Sequence, residues 1–117
     1  MIYLASPYAY SDQESVREEL YRTACQATAT LLLDRQPVFS PVVHSHPLVA
    51  YGLPADWSFW RDYNSELIKR CDELAVLMVT GWRASAGVQE KIQIARELGK
   101  PVRYLAQSWI EKKRNPG

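Results

Sequence analysis

Cysteine is scarce in this chain: Cys25 and Cys71 are its only two, and no Cys-x-x-Cys spacing occurs. That excludes a disulfide framework and the paired-thiolate pattern of a zinc module, and leaves two small reduced side chains expected inside helices. No apolar run is long enough to cross a bilayer, and no basic segment precedes the first apolar residues as a signal peptide would require. The expected location is therefore cytoplasmic. Charge of one sign is also lacking. The formal net charge of +1 gives no reason to expect a nucleic-acid groove or an anionic membrane surface as partner. The basic Lys112-Lys113-Arg114 cluster is too short to change this and reads as a solvated helix end. The five glycines form neither a Walker loop nor a dinucleotide fingerprint. Repeats and low-complexity segments are absent.

What remains is an ordinary globular composition, 47% hydrophobic and 23% charged over 117 residues, enough for one domain with its own core. Short apolar runs alternate with longer helical patterns, which predicts an α/β architecture with a mostly parallel sheet. Strands are expected at Ile2–Ala5, Pro37–Ser40, Leu74–Val79 and Val102–Leu105. The third is an almost continuous apolar run, as suits a strand covered on both faces.

Helices are expected between the strands. The first starts at Ser11, in a Ser11-x-x-Glu14 capping box, and carries the stripe Val16, Leu20, Ala24, Ala27 and Leu31. A second follows Asp56, with Trp60, Asn64, Leu67 and Cys71 on one face. A third runs from Ser85 to Leu98 and stops at Gly99, and Ser108-x-x-Glu111 caps a short last one. Pro41 to Pro54, with three prolines and a glycine, reads as a long loop.

The informative stretch is Leu74 to Glu90, a buried strand, a Gly/Ser loop and a helix start carrying one carboxylate. Ile2-Tyr3-Leu4-Ala5 running into Ser6-Pro7-Tyr8 is a second strand-to-loop unit of this kind. In an open parallel sheet such loops gather at the carboxyl edge, where small ligands bind. Unpaired N–H groups at a helix start suit Ser85 and Gly87 to an anion such as phosphate, or to a plain N-cap and turn. Glu90 is a candidate nucleophile, or simply an acid favoured by the helix dipole on a polar face with Gln93 and Glu97. His44 and His46 lack a third ligand at metal spacing, so no metal site is expected; His44 is a candidate pocket residue. Trp57, Phe59, Trp60 and Trp82 are either core or a stacking surface for a nucleobase.

Together these residues resemble the nucleoside 2-deoxyribosyltransferase superfamily, and most closely its small bacterial members. The carriers are Ile2-Tyr-Leu-Ala-Ser-Pro7, Cys71-Asp72-Glu73, Gly81-Trp82, Ser85-x-Gly87-x-x-Glu90, Ile92, Ala95 and Gly99-Lys100-Pro101-Val102. The resemblance implies a flavodoxin-like, doubly wound parallel sheet of four to five strands with helices on both faces. It implies N-glycosidic chemistry on a nucleoside or nucleoside 5′-monophosphate, without a cofactor. A glutamate, here Glu90, attacks the anomeric carbon in the manner of a retaining glycosidase. Tyr3 orients it, with Tyr8 as a rival, and Ser6, Pro7, His44, Trp82, Ser85 and Gly87 bind substrate. The helper acid on the helix before the third strand falls at Asn64, with Asp62 two residues earlier; an amide hydrogen-bonds but donates no acidic proton. The chain also has Arg83-Ala84-Ser85 where the transferases hold an acid, and Lys91-Ile92-Gln93 after Glu90 in place of a small residue. A homo-oligomer is implied, because relatives share their sites between subunits. The competing expectation is a non-catalytic nucleotide-binding or sensor module on the same fold.

Overall fold

A computed structural model describes residues 1–8 and 13–114. Its elements are β1 (Ile2–Ala5), α1 (Glu14–Leu33), β2 (Val38–Phe39), α2 (Pro41–Val49), α3 (Trp57–Arg70), β3 (Glu73–Met78), α4 (Ala86–Glu97), β4 (Val102–Ala106) and α5 (Gln107–Arg114). The four strands form one parallel sheet in the order β2-β1-β3-β4. This is a flavodoxin-like α/β fold. The chain first winds outward from β1 to β2, then returns past β1 to β3, so the strand order reverses between β1 and β3.

Side chains alternate across a strand, and the two central strands use both faces. Tyr3 and Ala5 of β1 join Leu74 and Val76 of β3 on one face, under α3 and α4. Ile2 and Leu4 join Ala75 and Leu77 on the other, under α1 and α5. Each face buries a core of its own, which is why β3 reads as an unbroken apolar run.

Helix boundaries follow from local chemistry. Ser85 caps α4 by accepting the Val88 N–H at 3.2 Å. At the other end Gly99, with φ of 70°, lets the Lys100 and Gly99 N–H groups reach the Ala95 and Arg96 carbonyls, at 2.9 and 3.0 Å. The expected stripe of α1 runs along its inner side, with Ala24, Ala27 and Leu31 buried. The Ser11 start of that helix lies outside the described residues, which resume at the N-cap Gln13. Asp56 stands at the N-cap of α3, where its carboxylate accepts the Ser58 hydroxyl; that bond first, with nearby backbone N–H groups, holds its acid below the usual carboxylate range. Cys71 closes α3 as its C-cap instead of lying within it. Ser108 sits inside α5, which begins directly after β4.

The expected Pro41–Pro54 loop is the main correction. Its first part is the helix α2, ending at Val49. Proline at the first helical position loses no hydrogen bond and arrives with φ already set, so Pro41 starts a helix here rather than breaking one. Ser40 completes the start: its hydroxyl accepts the Val43 N–H at 3.2 Å. Ser40→Ala should lower stability by about 1 kcal/mol, read from the urea midpoint. An unchanged midpoint would mean that packing against α1 alone holds α2.

Candidate functional site

A pocket of about 200 Å³ opens beside the carboxyl ends of β1 and β3, at the reversal of strand order. Open α/β sheets bind ligands at this place because the loops diverge there and leave a crevice. Ser6 and Tyr8 enter from the loop after β1, Ser45 from α2, and Trp57, Trp60 and Asn64 from α3. The last three stand at successive turns of one helical face. The start of α4 supplies Ser85, Gly87 and, one turn later, Lys91.

The wall has an unusual electrostatic character. The Ser6 and Ser45 hydroxyls and the Asn64 carbonyl oxygen are buried without a hydrogen-bond partner among the described residues. Ser6 and Asn64 are each only 4% exposed. Lys91 is 6% exposed, and among the described residues no carboxylate pairs with it. Its ammonium lies 5.4 Å from the Tyr3 ring centroid and 5.2 Å from that of Trp57. Desolvation lowers its pKa from 10.5 to about 7. The N-terminal N–H groups of α4 have no intrahelical partner and add positive potential on the same side.

A hydrogen-bonded chain runs back from the wall at Tyr8. Tyr8 Oη lies 2.6 Å from His46 Nδ1, and His46 Nε2 lies 2.7 Å from a Glu18 carboxylate oxygen. With Glu18 accepting from Nε2–H, a neutral His46 accepts the Tyr8 proton at Nδ1. The imidazole is further held by Tyr21, stacked at 4.4 Å between ring centroids. This chain links three elements and ends at the pocket surface.

The structure gathers part of the expected site and leaves part outside. Ser6, Tyr8, Asn64, Ser85 and Gly87 line the pocket. Tyr3 and Pro7 are fully buried behind it, and burial pushes the Tyr3 phenol well above its ordinary pKa. Glu90 is not part of the wall. Its carboxylate receives the Trp57 indole N–H and pairs with Arg61 Nε at 3.0 Å, so one side chain separates it from the pocket. Asp62 lies on the exposed side of α3, off the face that carries Trp57, Trp60 and Asn64.

His44 is exposed and packs between Phe39 and Tyr63. Positions two apart on a helix point in different directions, so it is His46 that turns toward Tyr8. Among the described residues no group of three or more potential ligands could hold a metal ion. Trp82 packs on Tyr104 with the Arg83 guanidinium over its ring, away from the pocket. The residues missed from sequence are Lys91, Ser45 and His46 with Glu18. Lys91 had a legible signal, for it interrupts the apolar stripe Val88, Ile92, Ala95 where a surface lysine would not sit.

The family model described as a domain of unknown function (DUF1937) matches residues 1–107. The chain belongs to that family. No curated protein matches it.

Proposed function

We propose that this member of the DUF1937 family binds a nucleoside or nucleoside 5′-monophosphate in the pocket between the β1 and α4 loops. The observation that carries the reading is that three residues lining the pocket hold a buried polar atom with no partner among the described residues: Ser6 Oγ, Ser45 Oγ and Asn64 Oδ1. Each such group costs about 1–3 kcal/mol when left unsatisfied, so a wall holding three favours a polar occupant. Lys91 and the first turn of α4 suit a phosphate or another anion. Trp57 and Trp60 offer aromatic faces for a base.

A second reading is cleavage of the N-glycosidic bond with Glu90 as nucleophile. What favours it is the Trp57–Glu90 hydrogen bond, which holds a carboxylate immediately behind the pocket wall. To attack, Glu90 must leave Arg61 and pass Trp57. The Tyr8–His46–Glu18 chain would carry a proton to the departing base. We also propose a homo-oligomer: Phe59 and Tyr63 stay exposed beside Trp60, and a second copy covering them would extend the pocket.

Calorimetry with a panel of 2′-deoxynucleosides and their 5′-monophosphates tests the binding. Monophosphates should bind more tightly than nucleosides, and Asn64→Leu should weaken binding by about tenfold or more while leaving the fold intact. No binding by any member to the folded protein would refute the reading. Chromatography of the same mixtures reports free base. Release that disappears in Glu90→Gln, with ligand still bound, would establish the glycosidase; binding without release would leave a binding module.

A further inference from the structure

Lys91 is unused by the binding reading except as a positive charge, yet its setting is costly for that purpose. A lysine buried to 6% exposure, with no carboxylate partner among the described residues, is less favourable than a methionine of similar length, because its charge loses hydration and gains little in return. Its neighbours are the faces of Tyr3 and Trp57 and the pocket. Helical side chains lean toward the N-terminus. For Lys91 that direction is the first turn of α4, where the Ala86 and Gly87 N–H groups have no intrahelical partner. Ser6 and Asn64, which also line the pocket, each hold a buried polar atom with no hydrogen-bond partner among the described residues.

We infer that Lys91 forms a Schiff base with the open-chain aldehyde of a phosphorylated sugar, whose phosphate sits at the first turn of α4. The ligand class rests on the nucleotide reading above, since a nucleoside 5′-monophosphate stripped of its base leaves such a sugar. The neutral Nζ adds its lone pair to the carbonyl carbon, and a proton passes from nitrogen to the carbonyl oxygen to give the carbinolamine. That hydroxyl is protonated and leaves as water, and the nitrogen lone pair closes the C=N bond. No electrons are gained or lost overall. Tyr8, on the pocket wall, can take up the proton in the first step as it passes its own to His46 Nδ1, with Glu18 holding the far side of the imidazole, and the relay runs back in the second step. The lowered pKa of Lys91 supports this, since it leaves a large share of the amine unprotonated at neutral pH.

Reductive trapping tests the inference. The whole chain is incubated at neutral pH with 2-deoxyribose 5-phosphate and cyanoborohydride, then digested for peptide mass analysis. The expected adduct is the sugar phosphate less one oxygen atom, on the peptide containing Lys91. It should form there faster than on Lys69, Lys100, Lys112 or Lys113, by a factor on the order of a thousand if the free-amine fraction alone decides the rate. Inorganic phosphate should slow it, and 2-deoxyribose without phosphate should react more slowly. Lys91→Met and Lys91→Arg, shown folded by circular dichroism, should lose the selective adduct. Adducts spread evenly over the exposed lysines, or an unmodified Lys91 peptide, would overturn the inference. Calorimetry on the same sample separates the two readings. Nucleotide binding with Lys91 unmodified refutes the Schiff base alone. A Lys91 adduct without nucleotide binding keeps the reactive amine and refutes the nucleotide as its source.

Discussion

Lys91→Met is expected to make the protein more stable at neutral pH. The gap between 10.5 and about 7, at about 1.4 kcal/mol per unit, puts the cost of the buried ammonium on the order of 5 kcal/mol. The faces of Tyr3 and Trp57 return part of it, at about 0.5–2 kcal/mol per cation–π contact. A net gain of about 1–4 kcal/mol should remain. The pH dependence has a definite sign. Between pH 7 and 10.5 the unfolded chain binds more protons at this lysine than the folded one, so wild-type stability rises with pH across that window. Below pH 7 both states are protonated and the full penalty is present. The variant lacks this rise, and its advantage should shrink as pH increases. Urea midpoints of both proteins at pH 7 and pH 9 check it; two parallel profiles would mean that Lys91 is hydrated in solution. Because methionine takes no phosphate, an anionic ligand should stabilise the wild type more than the variant.

Ile68→Ala is expected to cost about 2–5 kcal/mol, the range for removing a buried aliphatic side chain whose cavity cannot fully collapse. Ile68 is 1% exposed and packs among Tyr3, Leu74 and Ile92. It continues the face of α3 that carries Trp57, Trp60 and Asn64 into the pocket. Loosening this anchor should therefore weaken ligand binding as well as the fold. The same urea titration measures the first effect. A loss of under about 1 kcal/mol would show that the helix is seated by its other contacts.

The strands and most helices were legible because their signals are local. The short apolar run Ile2–Ala5, the longer one of β3 and the stripe of α1 each need only neighbouring residues to be recognised. Gly99 and Ser85 marked the ends of α4 for the same reason. The place of the pocket was legible too, since Ser6 and Ser85 lie on loops that a parallel sheet brings to its carboxyl edge. Proline misled the reading of α2. The same residue starts or stops a helix according to its position, and three prolines in fourteen positions read as breakers.

Which side chains face the pocket was not legible. Glu90 and Lys91 are adjacent, and one step along a helix turns a side chain by about 100°. The carboxylate thereby meets Trp57 and Arg61 of α3, while the lysine turns inward. No local pattern specifies Glu90's partners, which are about thirty positions away in sequence, nor the Tyr8–His46–Glu18 chain, which depends on how α2 lies against α1. The sequence alone determined the α/β class, the order of most elements and the sheet edge where a ligand would bind. Only the tertiary structure decided that the group left uncompensated in the pocket is an amine rather than a carboxylate, because burial and charge pairing belong to neighbours that folding brings together.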